Sequence, residues 1–243
     1  MGVRPAGLLV GTAGWSIPSR YASETPGAGS HLERYSRVLD AVEINSSFHR
    51  PHQRKTYERW AGATPDGFRF SVKVPRAMTH ERSLADCGDL IGAFAGEVGG
   101  LGGKLAALLV QLPASAAPEL TVAGRFFKDL SAAVDAAIVF EPRHPGWFTS
   151  AADAWLAERR IARVAADPAR PQGAGEPGGW PNLRYYRWHG SPRIYYSDYD
   201  EAALVALKAR ADADRAGGAV VWCVFDNTAS GAALGDALAF AGL

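Results

Sequence analysis

Charged and amide side chains recur at the ends of short apolar runs in this chain. They occur in Val42-Glu43-Ile44-Asn45, Phe70-Ser71-Val72-Lys73-Val74, Ile138-Val139-Phe140-Glu141-Pro142-Arg143, Val164-Ala165-Ala166-Asp167 and Tyr185-Tyr186-Arg187-Trp188-His189. Side chains alternate between two faces along a strand. Val42 and Ile44 suit a face packed on helices, so Glu43 and Asn45 are expected to point the other way, into an interior. The same count turns Ser71, Lys73, Glu141, Arg143, Arg187 and His189 inward. It places Asp167 on the face of Ala165 and brings Gln111 near the end of its own run. At Phe225-Asp226-Asn227 it leaves open which of Asp226 and Asn227 faces in.

Three carboxylates (Glu43, Glu141 and Asp167) thus face Lys73, Arg143, Arg187 and His189. Paired carboxylates and a histidine can move protons, with pKa values set by burial and neighbouring charge. Arginine and lysine suit recognition of a carboxylate or phosphate, which guanidinium can grip bidentately. The pattern predicts an enzyme of hydrolase, lyase or isomerase type acting on a small anionic or sugar-like substrate. Glu43, Glu141, His189 and Asp167 are its expected catalytic groups. Asn45, Lys73, Gln111, Arg143, His144, Arg187, Trp15 and Asn227 are the expected substrate contacts.

Three other readings compete. Glu43, Glu141, Asp167 and His189 could ligate a divalent metal, but cations beside three of those positions would repel the ion, so no cofactor is predicted. The charges could instead close into an ion-pair network plugging the interior. The alternative function is a nucleic-acid or phosphate-binding protein, with a metal-dependent nuclease as a variant. It would use Arg76, His80 and Arg82 of the Pro75–Arg82 loop, with aromatics from Arg143–Phe148 stacking bases. Nucleophilic catalysis has no motif to stand on, since no GxSxG elbow occurs and neither Cys87 nor Cys223 lies in a nucleophile pattern.

The elements that must position these residues read as repeated βα units. Strands are predicted at Leu8–Trp15, Ala41–Phe48, Phe68–Pro75, Leu105–Pro113, Ala136–Arg143, Ala162–Asp167, Leu183–Gly190 and Ala219–Asn227. Eight strands, each with room for a helix after it, predict a single (β/α)8 TIM barrel over residues 1–243, with its site at the C-terminal strand ends. Gly11-Thr12-Ala13-Gly14-Trp15 lacks the glycine spacing of a dinucleotide-binding turn. Ser30-His31-Leu32-Glu33 reads as a capping box, and Asp198-Tyr199-Asp200-Glu201 can open a helix similarly. Pro51 suits the first turn of a helix ending near Trp60, with Gly62 as its stop. The Pro- and Gly-rich stretch 168–182 is expected to be a solvated excursion or a lid.

Bulk properties narrow the class. The 243 residues carry a formal net charge of +1, so no global field draws the chain to nucleic acid or a membrane, and nucleic acid is disfavoured as a partner. Met1–Leu9 lacks the pattern of a signal peptide, and no apolar stretch approaches the roughly 20 residues of a bilayer span. The two cysteines suit buried thiols in a reducing compartment, and a cytoplasmic location is expected.

The same segments resemble the YecE-like family, also called domain of unknown function 72. The resemblance rests on Gly11-Thr12-Ala13-Gly14-Trp15-Ser16, Val42–His49, Phe70–Arg76 with Thr79-His80, Leu109–Pro113, Phe140–Phe148 and Arg187-Trp188-His189-Gly190. It spans nearly the whole chain in the family's order. It implies a (β/α)8 barrel and no particular reaction. Two departures stand out. The family's Phe-Asn-Asn is Phe225-Asp226-Asn227 in this chain, which adds a carboxylate and favours acid–base or metal chemistry. The loop after the sixth strand is unusually rich in Pro and Gly.

Overall fold

The computed structural model describes residues 7–243. Met1–Ala6, part of the stretch judged for a signal peptide, lie outside the described residues. The chain begins with β1 (Leu8–Ala13), α1 (His31–Tyr35), β2 (Ala41–Ile44), α2 (Arg54–Gly62) and β3 (Arg69–Lys73). It continues through α3 (Gly88–Val98), β4 (Leu105–Gln111), α4 (Leu120–Ala133), β5 (Ala137–Glu141) and α5 (Ser150–Glu158). Then come β6 (Ile161–Arg163), β7 (Ala165–Asp167), β8 (Gly178–Gly179), β9 (Leu183–Trp188), α6 (Glu201–Ala216), β10 (Val220–Phe225) and α7 (Ala232–Gly242). Short 3-10 turns and one π-helical segment, Ala77–Glu81, lie at the connections.

The strands form one ten-stranded sheet in the order β7-β9-β10-β1-β2-β3-β4-β5-β6-β8. It curls into a nearly closed barrel. This corrects the expected (β/α)8 TIM barrel, and the deviation lies between residues 161 and 182. The run read as a single sixth strand divides at Val164. Residues 161–163 pair with β5, whereas 165–167 pair with β9. The next connection has no α-helix. Pro168, Pro171, Pro177 and Pro181, with four glycines among them, remove the amide donors and add the backbone entropy that oppose a helix. Instead, Gly178–Gly179 folds back antiparallel onto β6, so the sheet is mixed.

That connection is tied down along its length. Arg163 is buried, holds Asp153 at 2.8 and 3.0 Å, and donates to the carbonyls of Gly173 and Glu176. Arg210 donates to the carbonyl of Gly175.

Alternation sorts the core into two layers. Val42, Ile44, Phe70, Val72, Val110 and Phe140 join the helices in an outer layer. Ala41, Leu109, Val139, Val164, Tyr185, Trp222 and Val224 fill the barrel interior, where Tyr185 stacks on Trp222 at 5.6 Å. The predicted capping box forms, with Ser30 accepting from the Glu33 amide and Glu33 accepting from the Ser30 amide. The helix after Pro51 begins at Arg54 rather than at the proline. No helix among the described residues is long and apolar enough to cross a membrane.

Candidate functional site

Above the apolar interior, alternation delivers one polar residue from each of several strands to the same level. Arg187, on β9, is fully buried and sits at the centre. Its Nε and Nη2 grip Glu43 of β2 at 3.0 and 2.8 Å. Nη1 donates to Glu141 of β5 at 2.6 Å, and Nη2 also reaches Asp226 at 2.9 Å. Tyr185, two residues before Arg187 on the same face, donates to Glu43 at 2.9 Å. Gln111 and Arg143 both donate to Glu141 Oε1. His189 places Nδ1 2.9 Å from Asp226, while its Nε2 lies 3.5 Å from Glu141 and makes no well-formed hydrogen bond.

The charges set each other's protonation. Burial pushes the Glu141 carboxyl up, but Arg187, Arg143 and His189 outweigh it and hold it well below the usual range. Asp226 is likewise lowered, with Arg187 and His189 overcoming burial. Burial opposes charge on Arg187, yet Glu43, Glu141 and Asp226 raise its pKa well above the ordinary value. The His189 imidazole is raised despite burial because Asp226 and Glu141 favour its charged form.

Two cations stand at the mouth of the barrel. Arg143 is 30% exposed and directs Nε and Nη2 at Glu141. Lys73, at the end of β3, holds its ammonium 4.2 Å over the Phe48 ring, with no hydrogen bond or ion pair to the described residues. Burial, then Arg187, lowers its pKa against the pull of Glu141, Glu43 and Asp226. His80 follows in the π-helical segment, bonded to Thr79 at 2.9 Å. Its pKa is lowered by burial and then by Lys73, Arg76 and Arg143, whose charges all reach it. Tyr195 packs edge-on to His189 at 5.6 Å. A cavity of about 590 Å³ lined in part by Phe48, Arg76, Met78 and Phe94 lies to one side.

The structure thus gathers Glu43, Lys73, Gln111, Glu141, Arg143, Arg187 and His189, and it selects Asp226 over Asn227. Asn45 follows β2 at the same end, with its Oδ1 buried and without a hydrogen-bond partner among the described residues. Four other expected site residues lie elsewhere. Asp167 shares the face of Ala165, as expected, but that face belongs to the outer layer, and Asp167 accepts from Tyr199 at 2.7 Å. Asn227 donates to Asp236 and to the Ser197 carbonyl. His144 caps the turn after β5 by accepting from the Gly146 amide. Trp15 packs edge-on against Trp60 at 5.0 Å. Tyr185 and Phe48 escaped the sequence reading. Tyr185 was accessible to it, because it shares the face of Arg187 at a spacing of two.

A family model described as "Protein of unknown function DUF72" matches residues 9–243. The UPF0759 protein YecE of Escherichia coli K12 is 30% identical over 176 residues, covering 70% of this chain. The chain spans about three-fifths of that relative, 62% of its length. Among solved structures, a DUF72-family protein of Enterococcus faecalis has a TM-score of 0.81 at 20% identity, over 97% of this chain and 96% of that one. One from Thermotoga maritima has a TM-score of 0.76 at 21% identity, over 96% and 97%. A sugar phosphate isomerase/epimerase of Parabacteroides distasonis has a TM-score of 0.55 at 12% identity, over 99% and 94%, a likeness of fold alone.

These findings correct the predicted function. The acid–base reading needs Glu43 or Glu141 free to exchange a proton near neutral pH. Both are buried, both accept from Arg187, and Glu141 is held ionised as a weak base. The isomerase/epimerase likeness is too remote to bring a reaction with it. The nuclease alternative lacks its metal centre, because no group of three or more His, Cys, Asp or Glu among the described residues is arranged to hold an ion. Its basic loop is also compensated, with Arg76 paired to Glu81 at 3.4 Å and Arg82 to Asp89 at 2.6 Å.

Proposed function

Since the chain belongs to the DUF72 family, whose description names no reaction, we propose from its geometry that the barrel mouth receives a small anionic molecule and that the protein is an enzyme. In this reading the carboxylates are scaffold. Glu43, Glu141 and Asp226 neutralise and orient Arg187, and the mouth cations are the working groups. Lys73 carries the reading. An ammonium that is mostly removed from water and has no counter-ion in contact among the described residues is costly, and an incoming anion relieves that cost. Arg143 supplies a second donor, since its Nη1 has no acceptor among the hydrogen bonds it makes to Glu141. Asn45 Oδ1 and His189 Nε2, both buried at the same end, have no hydrogen-bond partner among the described residues.

The test is thermal unfolding of the full chain with acetate, pyruvate or inorganic phosphate, compared between wild type and Lys73→Met. An anion at 100 times its Kd adds about 2.7 kcal/mol, which shifts Tm measurably. At least one anion should raise Tm in the wild type and lose that effect in the variant. An equal rise in both, or no rise with any anion, would overturn the reading.

A further inference from the structure

We propose that Lys73 is a covalent catalytic residue, whose ε-amine condenses with a carbonyl compound bearing a carboxylate or phosphate to form an imine within the barrel mouth. This inference rests on the anion-receiving mouth described above and adds a chemical step to it.

The chain has five lysines, and their surroundings differ sharply. Lys104 donates to the carbonyls of Ala61 and Thr64 at 2.7 and 2.6 Å. Lys208 pairs with Asp212 at 2.6 Å. Lys55 and Lys128 lie on the exposed faces of α2 and α4. Lys73 alone ends a barrel strand on the inward face, with its nitrogen in contact with an aromatic ring and with no acceptor among the described residues. An amine must shed its proton to be a nucleophile, and desolvation together with a neighbouring cation is the established physical route to that state. Both are present. Burial and the Arg187 guanidinium each disfavour the ammonium, and the three carboxylates oppose them only in part.

The surroundings also define the co-reactant. Arg143 follows β5, two strands along the barrel from the β3 that carries Lys73, and the charges of both reach His80. A small molecule with its anionic group held by Arg143 and a carbonyl group directed to Lys73 fits this arrangement. The step balances without an oxidant or reductant. The nitrogen lone pair forms a bond to the carbonyl carbon, the two amine hydrogens pass to the carbonyl oxygen, and that oxygen leaves as water, giving C=N in place of C=O. The imine withdraws electrons from the adjacent carbon, which is the purpose of such lysines in catalysis.

The experiment incubates full-length protein with pyruvate, or with glycolaldehyde phosphate, in the presence of cyanoborohydride, which supplies hydride to fix any imine as a stable secondary amine. Adducts are located by peptide mass mapping. We expect labelling of the Lys73 peptide ahead of exposed Lys55 and Lys128, and its loss in Lys73→Arg, which keeps the cation but cannot form the imine. The probe that labels faster shows whether carboxylate or phosphate is preferred. Labelling spread over Lys55 and Lys128 with Lys73 no faster overturns the inference. If pyruvate or phosphate still raises Tm in that case, the anion-binding reading survives alone; if no anion raises Tm, both fall. Should the arginine variant not fold, the wild-type map decides by itself.

Discussion

Arg187 reaches three carboxylates with one guanidinium, and that geometry explains why a fully buried charge is tolerated in a barrel interior. Each carboxylate comes from a different strand, so the side chain also links β2, β5 and the end of β10. Removing one partner of a buried ion cluster leaves the others uncompensated, at a cost of about 3–5 kcal/mol. Arg187→Met is therefore expected to lower stability by that order, read from the midpoint of urea unfolding. A loss below about 1 kcal/mol would mean the cluster behaves like exposed pairs, which contribute little. The residues of this cluster were legible in the sequence because alternation is a local rule. Their partners were not. Nothing in Glu43 or Glu141 announces that both will point at the same guanidinium from strands about a hundred residues apart.

At the scale of elements, the segment after β7 departs furthest from expectation. Gly178–Gly179 supplies a strand with no side chains and hence no periodicity to read. Gly179 adopts φ +65°, and a Cβ there would lie 2.3 Å from the Ile161 carbonyl oxygen. Gly179→Ala should therefore cost about 1–3 kcal/mol through backbone strain alone, with the clash adding to it, measured by the same unfolding transition. A neutral substitution would show that β8 is not tied to the barrel. The split at Val164 was equally hidden, because a strand that changes partners midway keeps its alternation. The capping box at Ser30 was readable, since all its atoms lie within one turn.

Across the whole molecule, the linked groups define a pH range for stability. Glu141 is lowered from the ordinary glutamate value of 4.5, so its contribution is present above that pH and lost as pH falls through the folded value. His189 is raised above 6.5, so its contribution is complete below that pH and lost as pH rises through the folded value. Burial pushes Asp236 up to about 6, and its contribution disappears as pH rises from the ordinary 3.8 through that value. Stability should thus be highest near about pH 4.5 and decline above it, first as Asp236 ionises and then as His189 loses its proton. Urea unfolding across pH 4–9 checks this, and Asp236→Asn should flatten the fall between pH 4 and 7. A maximum above pH 8 would contradict these assignments.

Residue order alone specifies most strand positions, the alternation that separates the two core layers, the inward direction of Glu43, Lys73, Glu141, Arg143, Arg187 and His189, and the family. These are local or pairwise-repeating features, fixed by a two-residue strand period and by short motifs. The remainder depends on how distant segments pack. That packing made the barrel ten-stranded and mixed, because strand pairing joins distant segments and two glycines can pair as readily as any residues. It chose Asp226 over Asn227 and sent Asp167 to the outer layer, because phase at a strand end depends on which layer its neighbours already occupy. It also turned apparent acids and bases into the fixed partners of Arg187 and left Lys73 without one, because distance and burial, not residue type, decide whether a charge is neutralised or left to act.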